Sequence, residues 1–208
     1  MTAAASLAAA CVAFLLVSPP GGARSLREFD PDRLADLELR MWQAYYANER
    51  LRLFALLMTT LRAQYHYPWT TAAVESFHLA RAASTFAGLT GGYETVLPDL
   101  ERAYATAARW HRAGFDPGAV ARAELAWWVA RRTPGGNAPE QVGRLIAKEY
   151  ALLYEAPLAD MVSAGLLRAE AAALRDRDAG QPDWAAIGAL LRDSYIELHG
   201  RLTSSLAD

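Results

Sequence analysis

From residue 31 to the C-terminus, apolar residues recur every three or four positions with charged residues between them. That spacing gathers the apolar side chains on one face of an α-helix. The last segment shows it most plainly: Trp184, Ile187, Leu190, Leu191, Tyr195, Leu198 and Leu202 form a single stripe. Val and Ile are scarce beside Ala, Leu, Arg and Glu, so helix propensity exceeds strand propensity in nearly every window.

Helix starts and stops divide this body into about seven helices and predict an all-α, single-domain bundle over 26–208. Helices are expected over 31–47 and 49–67, with Asn48 as the cap of the second and Pro68 as its end. Another covers 69–87, before the Gly-Leu-Thr-Gly-Gly loop at 88–92, and one runs from 93 to 113. Asp116 followed by Pro117 is an N-cap with proline at the first helical position, opening a helix to residue 132. Asn137 and Glu140 have the spacing of a capping box and start a helix to 154. Pro157 opens one to 177, and Asp183 caps the last. No repeat or long loop divides the body into two domains.

Upstream lies an apolar run at 3–17, followed by Ser-Pro-Pro-Gly-Gly-Ala-Arg-Ser at 18–25. The run falls short of the roughly 20 residues that span a bilayer but suits a signal-peptide core, with small residues at Gly21 and Ala23 allowing cleavage after Ala23. No Lys or Arg precedes it, as a secretory signal would normally require. Residues 1–25 read as a signal peptide or N-terminal anchor, implying export or peripheral membrane association. The alternative is a cytoplasmic protein with a mis-assigned start codon. Cys11 is no lipidation site, because the chain stays apolar beyond it.

Composition then removes several chemistries. A formal net charge of -2 gives no bulk attraction to phosphate backbones, so nucleic acid is excluded as a partner. The 21 basic residues are 20 Arg and one Lys, a bias of GC-rich codon usage. That single lysine, Lys148, stands beside Glu149 on what reads as a solvated helix face, which argues against amine catalysis. Cys11 is the only cysteine, so the body has no intrachain disulfide, thiolate metal site or cysteine nucleophile. No phosphate loop, nucleophile elbow, His-Glu-x-x-His pair or EF-hand pattern occurs.

Two clusters remain. Glu75 and His78 lie three residues apart on one helix face, close enough to bind one metal ion. Four-helix di-metal proteins use two such pairs and two further glutamates; here Glu38 and Glu124 fall near apolar stripes, but a second Glu-x-x-His is missing. His199 is the best substitute imidazole, although Glu197 projects from a different face. The alternative for these carboxylates is a buried polar network, with Glu75 and His78 paired to Arg81 or a facing arginine. In the second cluster Glu124, Trp127 and Arg131 align on one face beside Trp128. They line a pocket or simply pack a core helix. Tyr45, Tyr46, Tyr65, His66, Tyr67 and Trp69 concentrate aromatic groups around 45–69, suited to a flat ligand, a membrane interface or the core.

Two functional readings follow. The leading one is a module that binds a small molecule or a protein partner, with Trp127, Trp128, Arg131 and Tyr45 as pocket residues and an apolar pocket near the tryptophans without convergent carboxylates. The competing one is a metal-dependent oxidoreductase of di-iron type, with iron or manganese held by Glu38, Glu75, His78 and Glu124.

Overall fold

The computed structural model describes residues 13–14, 16–19 and 25–204. Most of the expected leader segment, including the cleavage position after Ala23, lies outside the described residues. Among the described residues no helix is long and apolar enough to cross a membrane, and no strand occurs.

Eight α-helices make up the body: α1 (Pro31–Tyr46), α2 (Arg50–Tyr65), α3 (Trp69–Gly88), α4 (Leu97–His111), α5 (Pro117–Arg132), α6 (Pro139–Leu153), α7 (Leu158–Arg177) and α8 (Trp184–Ser204), with a 3-10 turn at Tyr93–Val96 before α4. Several starts follow the expected chemistry. Asp30 accepts a hydrogen bond from the Arg33 N–H at 3.1 Å ahead of Pro31, and Asp116 accepts from the Gly118 N–H at 2.9 Å ahead of Pro117. Asp183 caps α8 through the Ala186 N–H at 3.0 Å. Two expected caps do not form. Asn48 instead takes a left-handed conformation, φ 57°, in the turn after α1, a backbone region asparagine tolerates. The box of Asn137 and Glu140 is absent because Pro139 occupies the first helical position and makes Ala138 the N-cap.

Short connections force each helix to double back on the one before it. The result is a ring: every helix packs against its neighbours in sequence, and α8 closes the circle against α1. The substantial helix contacts are all between ring neighbours, so the centre is filled by side chains rather than by another helix. Leu34, Leu100, Val120, Ile146, Met161, Ile187, Leu191 and Leu198 are buried there or between helices. The tightest pair is α6 and α7. A Cβ on Gly143 would meet the Leu166 Cα at 2.8 Å, and one on Gly165 would meet the Ala147 backbone N at 2.8 Å. Only glycine permits that approach, and it fixes the register in which α6 and α7 present Glu149 and Arg168 to the middle of the ring.

A candidate ligand cavity at the centre of the ring

All eight helices contribute to a central cavity of about 200 Å³. Its walls carry the carboxylates of Glu38, Glu75, Glu124 and Glu149, the guanidinium of Arg168, and the rings of Tyr65, Tyr67, Tyr104, Trp127, Tyr150, Tyr154 and Tyr195. Leu57, Leu61, Leu79, Leu153 and Leu198 complete the lining. The polar groups fall into two sets.

The first set is closed. Glu38, on the same stripe of α1 as Leu34 and Leu37, is 2% exposed. Arg168 of α7 donates to its Oε1 from Nε at 2.9 Å and Nη2 at 2.6 Å, and the Tyr195 hydroxyl of α8 donates to Oε2 at 2.7 Å. One carboxylate thereby joins α1, α7 and α8 by charge-assisted bonds. Burial opposes the charge on Arg168, but Glu38, Tyr150 and Tyr195 outweigh it and keep the guanidinium protonated. Its Cζ also lies 5.1 Å from the centre of the Trp127 ring, within cation–π range.

The second set is open. Glu149 of α6 accepts from the Tyr104 hydroxyl at 3.1 Å and from Trp127 Nε1 at 2.5 Å, so protein donors reach both its oxygens. Glu124 of α5 also interacts with Tyr104. Its Oε2, though buried, accepts no hydrogen bond from the described residues. Burial, and then the neighbouring charge of Glu149, push the Glu124 carboxyl up to about 8. Burial raises Glu149 as well, against the opposing pull of Arg168, Trp127 and Tyr104. The geometry favours a neutral Glu124 beside an ionised Glu149, because Glu149 already holds two donors. Glu75 of α3, 5% exposed, is the third member. Burial raises its carboxyl, opposed by a hydrogen bond from Thr106 and by the charges of His78, Arg109 and Arg102. Its Oε2 likewise accepts nothing from the described residues. Each such orphaned oxygen costs about 1–3 kcal/mol.

The residues singled out as metal ligands do not assemble. Glu38 is occupied by Arg168 and Tyr195. His78 turns to α4, where its Nδ1 meets Asp99 Oδ1 at 3.0 Å, and Asp99 also accepts from Arg81 Nε at 2.7 Å. Glu75 and Glu124 do face the cavity, but no histidine is among the described residues that line it. His199 packs edge-on against Phe29 with centroids 5.2 Å apart, away from the cavity. Among the described residues no three His, Cys, Asp or Glu side chains are placed to hold a metal ion. The polar-network alternative describes His78 and Glu38 better, with Asp99 as a partner of His78 that the sequence did not disclose.

Of the expected pocket residues, only Trp127 lines the cavity. Successive helical residues are turned about 100° apart, so Trp128 points elsewhere and packs edge-on against Phe86 at 5.2 Å. Arg131 pairs with Asp176 of α7 at 2.9 Å and lines a separate pocket with residues of α6 and α7, and Tyr45 is exposed, against Tyr46. Carboxylates converge on the cavity beside Trp127, contrary to the apolar pocket expected there. Glu149 and Arg168 were missed altogether. The solvated face expected at Lys148 holds for Lys148, which is exposed, but not for Glu149, which falls on the buried stripe of Val142, Ile146, Tyr150 and Leu153. Arg168 continues the stripe of Met161, Ala164 and Gly165 in the same way. A charged residue in register with an apolar stripe is the signal that would have found both.

No protein-family profile, curated protein or solved structure matches this chain.

Proposed function

We propose that the protein is a small-molecule-binding module whose ligand sits in the central cavity of the helical ring. One observation carries this reading: every helix contributes to a single cavity in which two buried carboxylate oxygens accept no hydrogen bond from the described residues. Natural cores are close-packed and their buried polar groups are paired. On the scale of cavity-forming substitutions, about 24 cal/mol per Å³, unfilled volume of this size forgoes at most about 5 kcal/mol of packing. A bound molecule recovers part of that and supplies the missing donors. An enclosed apolar cavity of about 150 Å³ takes up benzene, so this one suits a molecule somewhat larger.

The test is a thermal-shift screen of small compounds against the full chain and an Ala103→Phe variant, since Ala103 is a small residue on the cavity wall. A ligand at a hundred times its Kd stabilises by about 2.7 kcal/mol, a rise of about 5–10 °C in Tm for a domain of this size. Compounds that stabilise the parent protein and leave the filled variant unmoved support the reading. Stabilisation that persists in the variant, or none at all, contradicts it.

A further inference from the structure

The donors and acceptors around the cavity specify the charge of what it holds. Four carboxylates face it against one guanidinium, and Glu38 already engages that guanidinium through both Nε and Nη2. The remaining charged groups of the lining are acidic, and its two unsatisfied atoms, Glu75 Oε2 and Glu124 Oε2, are acceptors. A carboxylate ligand would meet like charge there. An alcohol offers one donor. An ammonium offers three and carries the opposite charge. Trp127 and Tyr104 point their own polar atoms at Glu149 and give the cavity an aromatic wall, on which Trp127 already faces the Arg168 guanidinium.

We infer that the ligand is a small organic cation, a protonated amine on an apolar body slightly larger than benzene, its ammonium held by the Glu124 carboxylate, with Glu75 as a second acceptor elsewhere on the cavity wall. This deepens the cavity-binding reading and rests on it.

The inference carries a pH signature. Groups facing Glu124 are Tyr65 from α2, Tyr104 from α4, Glu149 from α6 and Arg168 from α7, the last already paired with Glu38 of α1 beside Tyr195 of α8. Glu75 faces Tyr67, Thr106, His78, Arg102 and Arg109. With Glu124 titrating near 8, an amine binding at neutral pH must displace a proton from it. Affinity therefore climbs with pH, by as much as about tenfold per unit, and levels off above about 8. It declines again only when the amine itself loses its proton, near 10 for an alkylamine of lysine type.

The experiment is calorimetric titration of the full chain with three probes of matched shape, 2-phenylethylamine, 2-phenylethanol and phenylacetate, at pH 6, 7 and 8. Isosteric variants Glu75→Gln and Glu124→Gln are measured alongside, their folding checked by circular dichroism. The expected result is amine binding at least about tenfold tighter than alcohol, no binding of the anion, and an amine affinity that rises with pH. Glu124→Gln removes the pH slope and most of the amine's advantage while the alcohol's affinity stays within a few-fold. Alcohol that binds as well as the amine, or an amine affinity insensitive to pH and to both variants, overturns the cation assignment and leaves the cavity reading standing. Failure of all three probes to bind the parent protein overturns both.

Discussion

Arg168→Met removes the one cation among the described residues that line the cavity and leaves Glu38 accepting from Tyr195 alone. The Glu38 side chain is 3% exposed and that of Arg168 18%, so water screens this pair little. Deleting one partner of a buried ion pair costs about 3–5 kcal/mol, mostly from the charge left behind. Set against a total stability of about 5–15 kcal/mol, that is a large share. It corresponds to a fall of about 6–20 °C in Tm for a domain of this size. The effect reaches beyond the pair, because Arg168 is the charge that counters the burial of Glu149. Replacing both partners, as Glu38→Met with Arg168→Met, removes the stranded charge and returns much of the loss, since an apolar replacement of a buried pair is often neutral. Guanidinium denaturation followed by tryptophan fluorescence measures both. A single variant that costs under about 1 kcal/mol, or a double variant worse than the single, refutes the assignment of this pair as the clamp joining α1, α7 and α8.

Further outcomes follow from the same geometry. Glu124 has a folded-state affinity for protons above its ordinary value of 4.5, so between 4.5 and about 8 the folded state holds more protons than the unfolded one. Stability of the unliganded protein therefore falls as pH rises through that window, by up to about 1.4 kcal/mol per unit; Glu124→Gln flattens the decline, and denaturation midpoints at pH 5, 6, 7 and 8 check it. Tyr104→Phe removes the donor to Glu149 Oε1 and is expected to cost about 1–3 kcal/mol in chemical denaturation; a neutral effect would show that another donor replaces it. Gly165→Val forces apart the closest helix pair and is expected to cost at least about 1–3 kcal/mol, with Gly180→Ala, which meets open space, as the control.

Most of the architecture was legible in the sequence because helix periodicity and proline-marked starts are local signals. Asp116 before Pro117, Asp183 and the stripe from Ile187 to Leu202 each announce an element within a few residues. The ring closure of α8 on α1 was not legible, since no local pattern says which apolar faces meet. The cavity was half visible. Glu38, Glu75, Glu124 and Trp127 stand out as charged or aromatic residues near apolar stripes, and all four line it. Their partners were hidden because Arg168 lies 130 residues from Glu38 and Tyr195 lies 157. Without Asp99 in view, His78 looked like a metal ligand; the carboxylate that claims it sits on α4, 21 residues away. Glu149 was obscured by Lys148, whose exposure says nothing of a neighbour about 100° around the helix.

The most direct measurement is a crystal structure of the protein grown with 2-phenylethylamine at pH 8. The account predicts the amine in the central cavity, its nitrogen within hydrogen-bonding distance of Glu75 or Glu124 and its ring against the aromatic wall beside Trp127. A cavity closed by rearranged glutamate side chains, or the amine bound only at the surface, would contradict it.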